Sequence, residues 1–166
     1  PLQEKPWIAT LDTFAIGGGC QYLLVMDHII AEKGSYMTLP ARKEGIIPGM
    51  ANLRLWRFTG DRIARQAIQN GLTIHSDSTE GKLICDEIIE KGTMDEKLLK
   101  TIDAYTNSGV VGSASNRRAF RIGQEPLDTF RKYMSAYCHD QAYCHFSDAL
   151  IKNLEHYWNA ASRPVK

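Results

Sequence analysis

The residues best placed to do chemistry in this chain are three consecutive glycines, Gly17-Gly18-Gly19, set between two apolar runs. Trp7-Ile8-Ala9-Thr10-Leu11 precedes them as a buried-strand pattern, and Tyr22-Leu23-Leu24-Val25-Met26 follows as the start of a helix. Without Cβ atoms such a turn can take positive φ and let a ligand approach the main chain closely. Its N–H groups lie at a helix N-terminus, where negative charge is favoured. Two chemistries use that arrangement: cradling a phosphate, or stabilising a developing oxyanion. The spacing matches neither a dinucleotide fingerprint nor a P-loop, because no Gly-Lys-Ser/Thr follows. Taken alone, the triplet is better read as a turn that only packs helix on sheet.

Other candidates are weaker. Glu44 is the lone carboxylate between Pro40 and Pro48, with no partner in sequence to aim it. Cys138-His139 and Cys144-His145 would lie on one helix, where only Cys138 and His145 share a face, and no closed zinc motif results. His75 sits in the polar stretch His75-Ser76-Asp77-Ser78-Thr79, read as a loop with a helix N-cap, and sequence neighbours do not form a triad. Asp27 is expected to brace a turn or helix end and His28 to be structural. Arg117, Arg118 and Arg121 form a basic cluster at helical spacing, read as a solvated face, with CoA phosphates the other option. Phe130, Tyr133, Tyr137, Tyr143, Tyr157 and Trp158 read as a packing stripe.

The elements that must position these groups fall in two parts. His28 to Ala31 and Tyr36 to Leu39 read as strands, and Ala41 to Gly49, bracketed by prolines, as a loop without regular structure. Helical pieces follow at 51–58 and 61–70, with Gly71 as a stop. Ile84 to Ile89 reads as a strand. Helices are expected over 94–106, 113–122, 127–144 (after Pro126, with Asp128 in its first turn) and 147–160.

Composition sets the frame. At 166 residues, 43% hydrophobic and 23% charged, the chain suits one soluble domain with a genuine core. A formal charge of +1 with no long basic run gives no nucleic-acid or membrane-surface signature. No stretch approaches the ~20 apolar residues of a membrane span, and no signal-peptide pattern is present, so a cytoplasmic location is expected. The four spread cysteines then read as free thiols. The opening Pro1-Leu2-Gln3-Glu4-Lys5, without an initiator Met, suggests a processed, cleaved or partly ordered chain.

Several segments in register carry a family resemblance. They are Lys5 through Gln21; Asp27-His28 before a strand; Leu39-Pro40, then Glu44-Gly45-Ile46-Ile47-Pro48-Gly49 with Asn52-Leu53-Arg54-Leu55; Phe58-Thr59-Gly60; and Cys85-Asp86-Glu87-Ile88-Ile89. Together they resemble the C-terminal half of the crotonase (enoyl-CoA hydratase/isomerase) superfamily. The resemblance implies an α/β fold, part of a ββα spiral over residues 1–92. A helical C-terminal region over 93–166 would then serve assembly and cover the active site. It implies an acyl-CoA thioester substrate whose enolate oxygen is held by two main-chain N–H groups. Gly18 matches one of them, and the other would lie upstream, with a companion N-terminal fragment as one source of it. A homo-oligomer, a trimer or dimer of trimers, would follow.

The departures from that pattern are informative. Gln21 and Ala41 stand where hydratases carry two glutamates, and neither an amide nor a methyl group is a general base. Ordinary hydration is therefore not expected. The pattern around Phe14 to Gln21 and Leu39 to Arg54 looks most like a branch of dioxygenases acting on arylacetyl-CoA thioesters without metal or organic cofactor, with CoA part of the substrate and O₂ the co-substrate. In that reading Gly18 and Gln21 are catalytic, and Ile16, Gly17, Ala41, Glu44, Ile46 and Ile47 line the substrate, the two isoleucines forming a dry wall. Isomerisation, decarboxylation, thioester hydrolysis and a non-catalytic subunit are the alternatives.

Overall fold

The computed structural model describes residues 5–107 and 109–161, so the first four residues named above lie outside it, as do Ser108 and the last five. β1 (Ile8–Leu11) and β2 (Phe14–Ile16) belong to different sheets, with Asp12 and Thr13 as the corner between them. α1 (Gly18–Leu23) then returns the chain to the first sheet, where β3 (His28–Glu32) lies parallel to β1, Ile8 opposite His28. β4 (Tyr36–Thr38) repeats the step beside β2, also parallel, Phe14 opposite Tyr36. One strand in each sheet followed by a helix is a single ββα turn of a spiral. β5 (Ile74–His75) closes the second sheet antiparallel to β4, and β6 (Glu87–Ile89) closes the first parallel to β3.

The Pro40–Pro48 segment is not wholly irregular. Ala41–Glu44 makes one helical turn, α2, ended by Gly45 at φ 81°, a left-handed conformation that favours glycine. α3 (Gly49–Arg65) contains the expected 51–58 piece and the first half of the expected 61–70 piece. They meet at Gly60, whose φ of 75° and ψ of 164° break the helix at the expected place. A π-helical turn over Gln66–Asn70 continues it to Gly71, in the left-handed region. Two expectations are corrected. The strand expected over 84–89 is shortened to β6, because a 3₁₀ turn at Gly81–Leu83 occupies its approach. His75, expected in a loop, is the last residue of β5. α4 (Met94–Thr106), α5 (Val110–Gln124), α6 (Leu127–His145) and α7 (Asp148–Ala161) complete the chain.

The core lies between the sheets, α1 and α3. Leu11, Ile29, Met37, Leu39 and Leu55 are each at most 3% exposed, and burying such a side chain contributes about 1.5–3 kcal/mol. Cys20 on α1 and Ala51 on α3 are small and fully buried, which lets the two helices pack closely. Cys20 and Cys85 are free thiols in this core, and burial pushes each up to about 12, the neighbouring Cys85 adding to the rise at Cys20.

A candidate oxyanion site on the glycine turn

Gly17 has φ 55° and ψ −112°, a mirror-image extended conformation open to glycine alone. Its N–H donates to the carbonyl of Thr38 at 2.9 Å, which ties the turn to the end of β4. Gly18 follows as the first residue of α1 and is exposed. Among the described residues none accepts a hydrogen bond from its N–H, and a Cβ built there would meet nothing within 4 Å. The amide is thus unpaired, accessible and at a helix N-terminus, and it opens onto an exposed shelf. Ile16, 43% exposed, stands beside it.

Gln21 projects from the same helix toward α3. Its Oε1 accepts the Met50 N–H at 2.7 Å. Met50 is the second residue of α3, whose preceding Pro48 offers no side-chain cap, so Gln21 satisfies one of the amides every helix start leaves bare. That bond fixes the Oε1 end of the amide and leaves its NH₂ end, a donor only, outside that contact.

The loop before α3 brings in the other sequence candidates. Ala41 is buried at the first position of α2, and its carbonyl accepts the Ile46 N–H at 2.9 Å. Glu44, Ile46 and Ile47 are half-buried. No described side chain pairs with the Glu44 carboxylate.

The C-terminal helices fasten this loop at Lys43, Gly45, Ile47 and Gly49. Ile47 N–H donates to Gln141 Oε1 of α6 at 2.9 Å. The Tyr133 hydroxyl donates to the Gly49 carbonyl. Tyr137, stacked on Tyr133 with ring planes 5° apart, lies 3.2 Å from where a Gly49 Cβ would stand. Asn153 Nδ2 of α7 donates to the Lys43 carbonyl at 2.7 Å. Gly45 lies under Leu150 of α7 so closely that a Cβ would stand 2.9 Å from the Leu150 nitrogen. The expected aromatic stripe therefore divides. Tyr133 and Tyr137 contact the loop and Phe130 is half-buried, whereas Tyr143 and Trp158 are about four-fifths exposed. The Tyr157 side chain lies outside the described residues.

Glu125, between α5 and α6, ties that junction to α3. It accepts two bonds from Arg54, Nη2 at 2.7 Å and Nε at 2.9 Å, and one from Arg57 at 3.2 Å. The Arg54 guanidinium first, then Arg57, holds its carboxyl below the usual carboxylate range. The stability this confers is present above the unfolded value of about 4.5 and is lost as pH falls through the lower folded value. Glu125→Gln is therefore expected to cost about 1–2 kcal/mol at pH 7 with the three side chains 16–18% exposed. Denaturant melts should show that difference shrinking below about pH 4.5.

The remaining candidates are structural. His28 Nε2 pairs with Glu87 Oε1 at 2.9 Å. Asp27 accepts the Trp7 N–H at 2.6 Å and both of its oxygens meet Arg117 Nε. Arg117 and Arg121 lie on Trp7, 5.4 and 5.5 Å from its ring centre, so the expectation of a wholly solvated basic face is corrected; Arg118 alone is fully exposed. A groove of about 1230 Å³ lies between α5 and the core there, and no residue of the glycine turn or of the 41–50 loop lines it. His139 and His145 bond only along α6, to Asp140 and to the Gln141 carbonyl. Among the described residues no three His, Cys, Asp or Glu side chains are grouped to hold a metal, and no helix is long and apolar enough to cross a membrane.

Sequence reasoning singled out Gly18 and Gln21, read Tyr133 only as part of an aromatic stripe, and gave no signal for Gln141, Asn153 or Glu125. A lone Gln or Asn on a helix carries no local signal, and the Tyr133/Tyr137 spacing shows a stripe without showing its partner.

Comparison with known proteins gives a consistent result. The family model described as Enoyl-CoA hydratase/isomerase matches residues 2–133. The chain is 45% identical over 139 residues to a (3,5-dihydroxyphenyl)acetyl-CoA 1,2-dioxygenase of Amycolatopsis orientalis, covering 84% of this chain and 31% of that protein. A carnitinyl-CoA dehydratase of Salmonella typhi is 24% identical over 151 residues, 89% of this chain and 58% of the relative. The chain thus spans about a third to somewhat over half the length of these relatives. Among solved structures, an enoyl-CoA hydratase from Mycobacterium avium subsp. paratuberculosis superposes with a TM-score of 0.83 at 15% identity, over 97% of this chain and 65% of the other. An enoyl-CoA hydratase/isomerase from Pseudoalteromonas atlantica gives 0.80 at 17%, over 94% and 62%.

Proposed function

Because this chain belongs to the enoyl-CoA hydratase/isomerase family and has its crotonase fold, we propose that it acts on an acyl-CoA thioester by stabilising an enolate oxygen at the Gly18 N–H. More specifically, the reaction is a dioxygenation of an arylacetyl-CoA of the (3,5-dihydroxyphenyl)acetyl-CoA kind, run without metal or organic cofactor. The 45% identity to a dioxygenase of that substrate carries this reading. Two features of the site support it. The amide of Gln21 and the methyl of Ala41 occupy the positions where hydration would need carboxylates, and the NH₂ of Gln21 can donate to an oxygen without competing for protons.

In this mechanism the thioester oxygen lies against Gly18 N–H while the proton α to the carbonyl passes to a base supplied by the upstream part of the site, and the negative charge that develops on oxygen meets a fixed donor at a helix start. The second donor is supplied by an upstream segment. Ile46 and Ile47 present apolar surface where O₂ partitions and meets the carbanion. Exposed Ile151, Leu154 and Trp158 on α7 support assembly of several copies, the oligomer expected of this region.

The test is oxygen consumption. An intact protein supplied with (3,5-dihydroxyphenyl)acetyl-CoA is expected to take up O₂ at a rate unchanged by exhaustive chelation. Release of free CoA with no oxygen uptake would assign a different chemistry of the same family, and loss of all turnover on chelation would overturn the cofactor-independent reading.

A further inference from the structure

We infer that Gln141 of α6 is a positioning residue for Gln21, acting through the peptide segment Ile47–Met50, with Tyr133 as its second anchor. The inference deepens the reading above, since it concerns what aims the side chain beside the oxyanion amide.

Neither α6 residue is bonded to Gln21. Gln141 takes the Ile47 N–H, Tyr133 gives its hydroxyl proton to the Gly49 carbonyl, and Gln21 takes the Met50 N–H. These contacts fall within four consecutive residues, and the segment between them is stiff. Pro48 has φ −76°, the value its ring imposes. Gly49 N–H closes a tight turn onto the Ile47 carbonyl at 2.8 Å. Tyr137 fills the space a side chain at Gly49 would need. A stiff segment pinned at Ile47 and Gly49 fixes where the Met50 N–H points, and that N–H sets the plane of the Gln21 amide. The donor offered to ligand is therefore aimed from a helix some 90 residues further along the chain. The matching ligand atom must be an acceptor, a thioester, enolate or peroxide oxygen.

Hydrogen exchange on the intact protein tests this without relying on turnover. Gln141→Ala is expected to speed exchange of the Ile47 N–H about tenfold, as loss of an ordinary hydrogen bond does. It should also speed the Met50 N–H several-fold, although Met50's own partner is untouched. Gln141→Glu keeps an acceptor and should leave both slow. Tyr133→Phe, which removes one hydroxyl and little else, should reproduce the Met50 effect should the alanine variant fold poorly. If Met50 exchange stays at the wild-type rate in a folded Gln141→Ala or Tyr133→Phe protein, the inference is overturned, whatever the enzyme's reaction. A turnover arm separates the two readings. Gln141→Ala should lower kcat/KM about tenfold in the native background and no further in Gln21→Ala, the non-additivity of residues acting as a unit. Coupled exchange with no oxygen uptake would retire the proposed reaction and leave the positioning role standing.

Discussion

Gly18→Pro is expected to lower kcat by about 10²–10³ while leaving the fold intact, the loss seen when one donor to a developing oxyanion is removed. The substitution deletes the one atom the mechanism asks of this residue, its amide proton. Structure permits it for two reasons. Gly18 is the first residue of α1, the helical position where proline is best tolerated, and its N–H bonds to no described residue. Gly17 before it already has an extended conformation of mirror sense, compatible with a following proline. Gly18→Ala is the control. It keeps the N–H and places its methyl in open space, so its thermal midpoint should match the parent. A folded proline variant that turns over at the parental rate would remove Gly18 from the mechanism.

Gly81→Ala should cost about 3 kcal/mol or more of stability. A Cβ at this buried position would fall inside contact distance of the His75 and Ser76 carbonyl groups. These are main-chain atoms and cannot swing aside. Ser76 N–H donates to the Ser35 carbonyl at 2.8 Å, and Ser76 Oγ to the Glu32 carbonyl at 2.8 Å. The Gly81 carbonyl is itself held by Ile84 and Cys85 N–H groups at 3.0 and 2.8 Å. Calorimetry should show the midpoint falling by about 6–12 °C for a chain of this size. Gly112→Ala, helical and with nothing near its Cβ, should instead hold or gain stability. An unchanged midpoint for Gly81→Ala would mean that the 3₁₀ turn can shift as a body.

What the sequence disclosed follows from what local pattern encodes. The central strand β3 carries the buried apolar run Ile29–Ala31, as a parallel strand covered on both faces does, and was legible as such; the edge strand β1, with Thr10 exposed, was legible from its apolar residues at 8, 9 and 11. The break at Gly60 and the stop at Gly71 were legible because each needs a backbone that glycine adopts easily. β2 was not, since three residues are too few for a period, and membership of a second sheet is decided by the corner at Asp12-Thr13. α2 was hidden by the prolines on either side of it. At the site, the glycine turn showed itself through its residue type. Arg54 with Glu125, Ile47 with Gln141 and Lys43 with Asn153 are 71, 94 and 110 residues apart, and pairing over such distances leaves no local trace.

The fastening of the 43–50 loop uses peptide groups almost throughout: the Lys43 and Gly49 carbonyls and the Ile47 and Met50 amides. Scaffold and wall are therefore specified separately along the same eight residues. The half-buried side chains at 46, 47 and 50 can be exchanged without touching the peptide groups that anchor the stretch bearing them, so the surface it presents can change while its path stays fixed.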